Sequence, residues 1–292
     1  MTVQTIDLER LKSHLATLAV PRDAFENHAA LLQVQNYIRA QFEAWGYQVE
    51  PDSFSFQGQP FQNLIARKQP SQTPRFLIGA HFDAVPGTPG ADDNASGVAA
   101  LLEIAYCLAA SDIVHQIDFV AFNLEEYNMI GSQHLAQRLK RENKPLTGML
   151  SLEMIGFTSS KPGSQQMPLV LRPFYPSVGN FIALVGDTGS IPLLKAAQKA
   201  FKQVSGLPVE GLTLPAQGKI FPETRLSDHA PFWDAGYPAL LVTDTSFFRN
   251  PHYHGAGDTL ATLDLPFLGR VVEGVLKLAE ALCTKIQVSP LK

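Results

Sequence analysis

The chain is 292 residues long, 45% apolar and 17% charged, with a net charge of −4. A charged fraction below the roughly 25% of ordinary soluble domains points to a compact body, and the absence of any Lys/Arg block leaves no footprint for a phosphate backbone, so no nucleic-acid partner is expected. No apolar run approaches the about 20 residues that cross a bilayer, so no membrane partner is expected either.

The length suits a single domain over residues 1–292. The opening Met1-Thr-Val-Gln-Thr-Ile-Asp-Leu-Glu-Arg10 lacks a basic stretch followed by an apolar one, so a cytoplasmic protein is the expectation. Cys107 and Cys283 each sit in an apolar helical pattern and read as buried thiols.

Helical spacing predicts helices over Leu8–Leu18 and Ala29–Trp45. Alternation over Tyr47–Phe56 and the apolar segments Asn63–Arg67 and Phe76–Ala80 predict three strands. Ser96–Ala110 is apolar on nearly every face, which predicts a helix buried against a sheet. Strand Ile117–Phe122, helix Ser132–Glu142 and strand Gly148–Leu152 continue the alternation, followed by a long loop over Thr158–Asn180 rich in Pro, Gly and Ser. Strand Phe181–Val185, helix Ile191–Val204, an irregular stretch over Leu212–Leu226, helix Ala230–Ala235, strand Ala239–Thr243 and helix Phe267–Leu282 complete the chain. This order predicts an α/β fold with a mixed, mainly parallel central sheet and helices on both faces.

Four apolar runs end in metal-binding side chains. Phe76–Ala80 runs into His81-Phe-Asp83, Ile117–Phe122 into Glu125-Glu126, Met149–Leu152 into Glu153, and Ala239–Val242 leads toward His252 and His254. In an open α/β sheet ligands collect beyond the carboxyl ends of the strands, so these residues converge there. Imidazoles and carboxylates without thiolates suit Zn²⁺ or a similar divalent ion. His81 and Asp83, two apart on extended backbone, project to one side, which lets one bind a metal while the other holds its partner. Asp92-Asp-Asn94 stands before the buried helix, where Asp93 or Asn94 also reads as an N-cap. Adjacent Glu125 and Glu126 diverge, which suits one carboxylate on a metal and one on a water, or two solvated surface glutamates. Ser227-Asp-His229 is no catalytic triad, because three adjacent residues do not converge as nucleophile, base and orienter.

Taken in order, these motifs resemble the co-catalytic zinc aminopeptidase family, which also includes glutamate carboxypeptidases and glutaminyl cyclases; the resemblance spans about Phe76 to Thr259. It implies two Zn²⁺ or other divalent ions per chain, with His81 and Glu153 on one, Glu126 and His254 on the other, and Asp93 of Asp93-Asn-Ala-Ser-Gly97 bridging. Asp92 is then a neighbour, and His254, in His254-Gly-Ala-Gly-Asp-Thr259, is preferred over His252. It further implies Glu125 as the general base, Asp83 behind His81, a cis peptide at Asp93–Asn94, and a supporting place for Ser227-Asp-His229.

One departure is visible: Glu153 stands where most relatives carry an aspartate. The expected function is a metallo-exopeptidase acting on peptides, most simply an aminopeptidase, with Phe247, Phe248 and Tyr253 walling an apolar pocket. The rivals are a single-zinc glutaminyl cyclase-like acyltransferase, a carboxypeptidase gripping its substrate through Arg225 or Arg249, and a non-catalytic binding relative. For both arginines the plain structural reading is solvation or a salt bridge.

Overall fold

The structure is a computed structural model that describes residues 3–69 and 75–286. Helices α1 (Leu8–Leu18) and α2 (His28–Ala44) precede strands β1 (Gln48–Phe56), β2 (Gln59–Arg67) and β3 (Arg75–His81). Then come α3 (Gly97–Leu108), β4 (Ile117–Phe122), α4 (Ile130–Arg141), β5 (Leu146–Glu153), β6 (Ile182–Asp187) and α5 (Ile191–Phe201). Strand β7 (Val209–Leu214), α6 (His229–Ala235), β8 (Ala239–Thr243) and α7 (Leu265–Ile286) follow. The irregular stretch expected from Leu212 therefore begins later, since Leu212–Leu214 belongs to β7. Glu210, Gly211 and Thr213 interrupt the apolar run there, and a partly exposed edge strand needs no continuous apolar pattern.

The strands form one eight-stranded sheet in the order β1-β2-β4-β3-β5-β8-β6-β7. The row β4-β3-β5-β8 is parallel, as is β6 with β7, whereas β1-β2, β2-β4 and β8-β6 are antiparallel. The sheet is thus mixed, with a parallel centre. Strands β3, β4 and β5 are buried along almost their whole length because helices lie on both faces, which is why they read as unbroken apolar runs.

On one face, Leu11, Ile38, Leu101, Phe201 and Val271 from five helices pack against Ile78, Phe119 and Leu150 of the sheet. On the other, Leu135 of α4 and Phe232 and Trp233 of α6 cover Val120, Met149 and Ala239. Beyond α6, among the described residues, no α-helix joins the apolar cluster of this second face. There Ala183, Val185, Leu241, Leu212 and Leu214 instead floor a cavity of about 300 Å³, walled by the segment from Gln165 to Tyr175 and by the turns after β7 and β8.

Helix α3 enters the sheet so closely that a Cβ on Gly97 would lie 2.5 Å from the Leu152 carbonyl oxygen and 2.4 Å from Asn94 Oδ1. Gly97→Ala is expected to destabilise the fold by about 1–3 kcal/mol, the usual cost of overpacking a tight interior. A lowered urea midpoint at unchanged m-value checks this.

Candidate metal centre

His81 is the last residue of β3 and Glu153 the last of β5, and the parallel register between these neighbours puts both at one edge of the sheet. Glu125 and Glu126 follow the end of the adjacent β4, and Asp93 lies in the kinked turn Ala91–Ser96 that leads into α3. His254 arrives on the loop after β8 with φ of 55°. Leu124 and Met154, directly before and after glutamates of the site, are also left-handed at 58° and 45°. Such backbone costs on the order of 1–3 kcal/mol per residue and persists only where the surroundings impose it.

The turn carrying Asp93 is fixed on every side. Asp258 accepts the N–H groups of Asp92 and Asp93 at 2.8 and 3.0 Å. Asn94 accepts from the N–H groups of Gly97 and Met154 and donates to the Leu152 carbonyl, bolting the turn to β5. The Asp93–Asn94 peptide is cis, as the resemblance implied. Asp92 points away from the centre, accepting from Gly156 N–H and Asn250 Nδ2 at 2.9 and 2.7 Å. It is the neighbour expected, and through Asn250 it ties the His254 loop to the turn.

Five side chains converge. His81 Nε2 lies 3.4 Å from Asp93 Oδ1 and 3.3 Å from Glu153 Oε2. His254 Nε2 lies 3.2 Å from Asp93 Oδ2 and 3.4 Å from Glu126 Oε2. Asp93 therefore offers one oxygen to each imidazole. Charge-assisted hydrogen bonds close to about 2.7–2.9 Å, so these separations are too long for good ion pairs. Atoms about 2.0–2.1 Å from a tetrahedral ion lie about 3.3–3.4 Å apart, which matches both groups. Glu126 Oε1 is buried without a partner, a spare lone pair in an acceptor-rich site. The donor set of imidazole and carboxylate thus fits a divalent ion, and among the described residues three overlapping groups could hold one: His81/Asp93/Glu153, Asp93/Glu126/His254 and His81/Glu125/Glu126.

Charge balance points the same way. Burial, reinforced by Asp93, pushes the Glu126 carboxyl up to about 7. Burial and the carboxylates of Glu153 and Glu126 hold Glu125 well above its ordinary range, with His81 opposing. Burial works against a charged Asp93 too, yet its contacts with His254 and His81 keep it ionised below the usual carboxylate range. His254 rises to about 10 against burial because it faces Asp93 and Glu126. The cluster holds more negative charge than its two imidazoles balance.

Asp83 braces this centre from behind. Its two oxygens accept the N–H groups of Glu125 and Glu126, both at 3.1 Å, and Oδ1 lies 3.4 Å from His81 Nδ1. The Ser227-Asp-His229 segment also reaches the site. Ser227 donates to Glu153 Oε2 at 2.8 Å and pairs with Ser151, which supports the longer carboxylate at this position. Asp228 is buried and pushed up to about 7 by burial, with Glu153 and Asp83 adding to it. His229 donates from Nε2 to the Thr224 carbonyl and packs edge-on against Trp233, outside the cluster.

The cavity beyond β8 opens onto these ligands. Phe247, Phe248 and Tyr253 line it, with the Tyr253 ring stacked on His254 at 3.7 Å. His252 is not in the ligand cluster; its ring packs by Phe157 and Gly257. Arg249 is buried under the cavity, donating to Gln165 and to the Phe181 carbonyl, and Arg225 bonds the Gln217 carbonyl and Asp234. Both arginines are structural.

Residues 63–279 match the model of peptidase family M28. The chain belongs to that family. It is 34% identical over 282 residues to the uncharacterized protein YfbL of Escherichia coli (strain K12), covering 93% of this chain and 86% of that one. A probable leucine aminopeptidase of Arthroderma otae is 27% identical over 69% of the chain; the match spans 52% of that relative, so the chain covers about half the length of this fungal enzyme. The LapA aminopeptidase of Legionella pneumophila superposes with a TM-score of 0.75 at 20% identity, over 95% of this chain and 72% of that structure, and shares the fold.

Sequence reasoning passed over Arg22, Asp23 and Asn250. None stands at a strand end or in a short motif of metal-ligating types, so no local signal marked them. Asp258 lay within the histidine motif but without a role of its own. Asp258→Ala would leave two buried N–H groups unpaired, at about 1–3 kcal/mol each. A lowered denaturation midpoint together with reduced metal content after dialysis is the expected outcome.

Proposed function

We propose that the chain is a two-zinc aminopeptidase, removing the N-terminal residue from peptides. His81 and Glu153 would hold one ion, Glu126 and His254 the other, and Asp93 both. Ions so placed supply Lewis-acid polarisation of the scissile carbonyl and acidify a water. Glu125, nearly buried beside the cluster, takes the proton of the attacking water and hands it to the leaving amine. Its Oε2 stands 3.9 Å from His81 Nε2, beside the ligand atoms but farther from the imidazole than the oxygens of Asp93 and Glu153. Asp83 fixes the backbone from which Glu125 projects.

The observation that carries the choice of substrate is the lining of the cavity. Asp93, Glu125, Glu126, Glu153, Glu210 and Glu223 contribute to it, and among the described residues no Lys or Arg does. Glu210 and Glu223, which lie outside the metal centre, leave negative charge for a free ammonium, whereas no Lys or Arg side chain lines the cavity to grip a C-terminal carboxylate. The floor of Ala183, Val185, Leu241, Leu212 and Leu214 and the walls of Phe247, Phe248 and Tyr253 favour an apolar first side chain. The exposed Leu169, Val170, Phe174, Ile220 and Leu226 extend apolar surface around the mouth. A complete set of five ligands plus a base argues against a single-zinc cyclase and against a non-catalytic relative.

Two outcomes follow. Glu125→Gln lowers kcat by at least the about 10²–10⁴-fold typical of lost general acid–base catalysis while zinc content is unchanged, whereas Glu126→Gln lowers zinc content. Zinc loss in the Glu125 variant with retention in the Glu126 variant would reverse the two roles. Peptides with a free apolar N-terminal residue are cleaved and their N-acetylated forms are not; release of the C-terminal residue from acetylated peptides would replace the aminopeptidase reading with a carboxypeptidase one.

A further inference from the structure

The segment between α1 and α2 carries a charged pair, Arg22-Asp23, that is buried to 1% and 0% exposure. Neither residue pairs with the other's type in the usual surface manner. Arg22 donates Nε to the Phe82 carbonyl at 2.8 Å, between His81 and Asp83. Its other nitrogens reach the carbonyls of Pro89 at 2.7 Å and Gly90 at 3.0 Å, at the entrance to the Asp93 turn, and of Val20 at 3.1 Å. Asp23 accepts the Phe25 and Glu26 N–H groups through Oδ1 and the Tyr127 hydroxyl through Oδ2. Tyr127 directly follows Glu125-Glu126.

Two adjacent residues therefore hold three separate loops, each bearing a part of the centre: the His81–Asp83 segment, the turn with Asp93, and the glutamate pair. Gly90 is shaped to this contact. A Cβ there would lie 2.2 Å from the Asp93 carbonyl oxygen and 3.0 Å from Arg22 Nη1, on backbone with φ of 58°. Arginine suits the post because its rigid fork meets several carbonyls at once and stays charged, facing the fields of Asp93, Asp83, Asp258 and Glu126. Both residues precede the segment, 63–279, matched by the family model.

We propose that Arg22 and Asp23 are positioning residues that set the spacing of the three ligand-bearing loops before any ion arrives. This rests on the metal-centre reading for its consequence, but its first readout needs no metal. Tyr127→Phe removes one hydroxyl while its ring keeps its contacts with Phe25 and Phe56. In the metal-free full-length protein, amide hydrogen exchange at Glu125 and Glu126 is expected to quicken at least tenfold, with little change in the core strands. Zinc affinity by chelator competition is expected to fall about 10–100-fold, as for other groups that orient metal ligands. Arg22→Lys, which retains charge but not the fork, is expected to do the same at Phe82 and Ala91. Unchanged exchange at 125 and 126 in Tyr127→Phe overturns the proposal whatever the Arg22 variant does. Faster exchange in Tyr127→Phe together with a wild-type protein that takes up no zinc overturns the metal-centre reading and leaves the clamp standing.

Discussion

Gathering buried carboxylates around one point is the constraint that the rest of this molecule serves. Asp83, Asp93, Glu153 and Asp228, buried, and Glu125 and Glu126, nearly so, crowd the carboxyl edge of the sheet with His81 and His254 beside them and Arg22 near. Isolated ionised carboxylates are expensive to take out of water and must be neutralised or paired. Burial raises the pKa values of Glu125, Glu126 and Glu153 and so favours their protonated forms, while Asp93 stays ionised between two imidazoles. Divalent cations resolve the same imbalance with the geometry left intact, which is why charge and distance lead to one conclusion.

The fold meets this constraint with backbone rather than with side-chain ion pairs. Parallel register across β4, β3 and β5 delivers three ligand segments to one edge. Each loop is then fixed by N–H groups donated to a carboxylate: Asp258 for the Asp93 turn, Asp83 for the glutamates, Asp92 for Gly156 after Glu153. Those same carboxylates add negative charge nearby. Rigidity and charge density come from one set of atoms, so loosening one loop also changes the electrostatics of its neighbours.

The parallel centre and the ligand cluster were legible because each leaves a local mark. A strand covered on both faces must be continuously apolar, and a buried acid or imidazole at its end stands out against that run; His81, Glu153 and the Glu125-Glu126 pair all did. Strand β7 left no such mark, since Glu210, Gly211 and Thr213 sit on a half-open edge that asks for no pattern. Arg22 and Asn250 were illegible for another reason. Their partners lie far along the chain, Arg22 on residues 82, 89 and 90 and Asn250 on Asp92, and no spacing rule encodes a contact of that length. Arg225 and Arg249 could be read either way from sequence; their partners decide for structure.

Glu153, at a position where the resemblance implied an aspartate, is held by its neighbours. The extra methylene brings its carboxylate to His81, and Ser227, itself paired with Ser151, takes one oxygen and limits its freedom. Both positions proposed for a metal then have their full set of residues. Zinc titration of the metal-free protein, followed by calorimetry and by elemental analysis after gel filtration, tests this most directly. Two ions per chain are predicted. Saturation at one would contradict the paired centre on which the proposed chemistry stands.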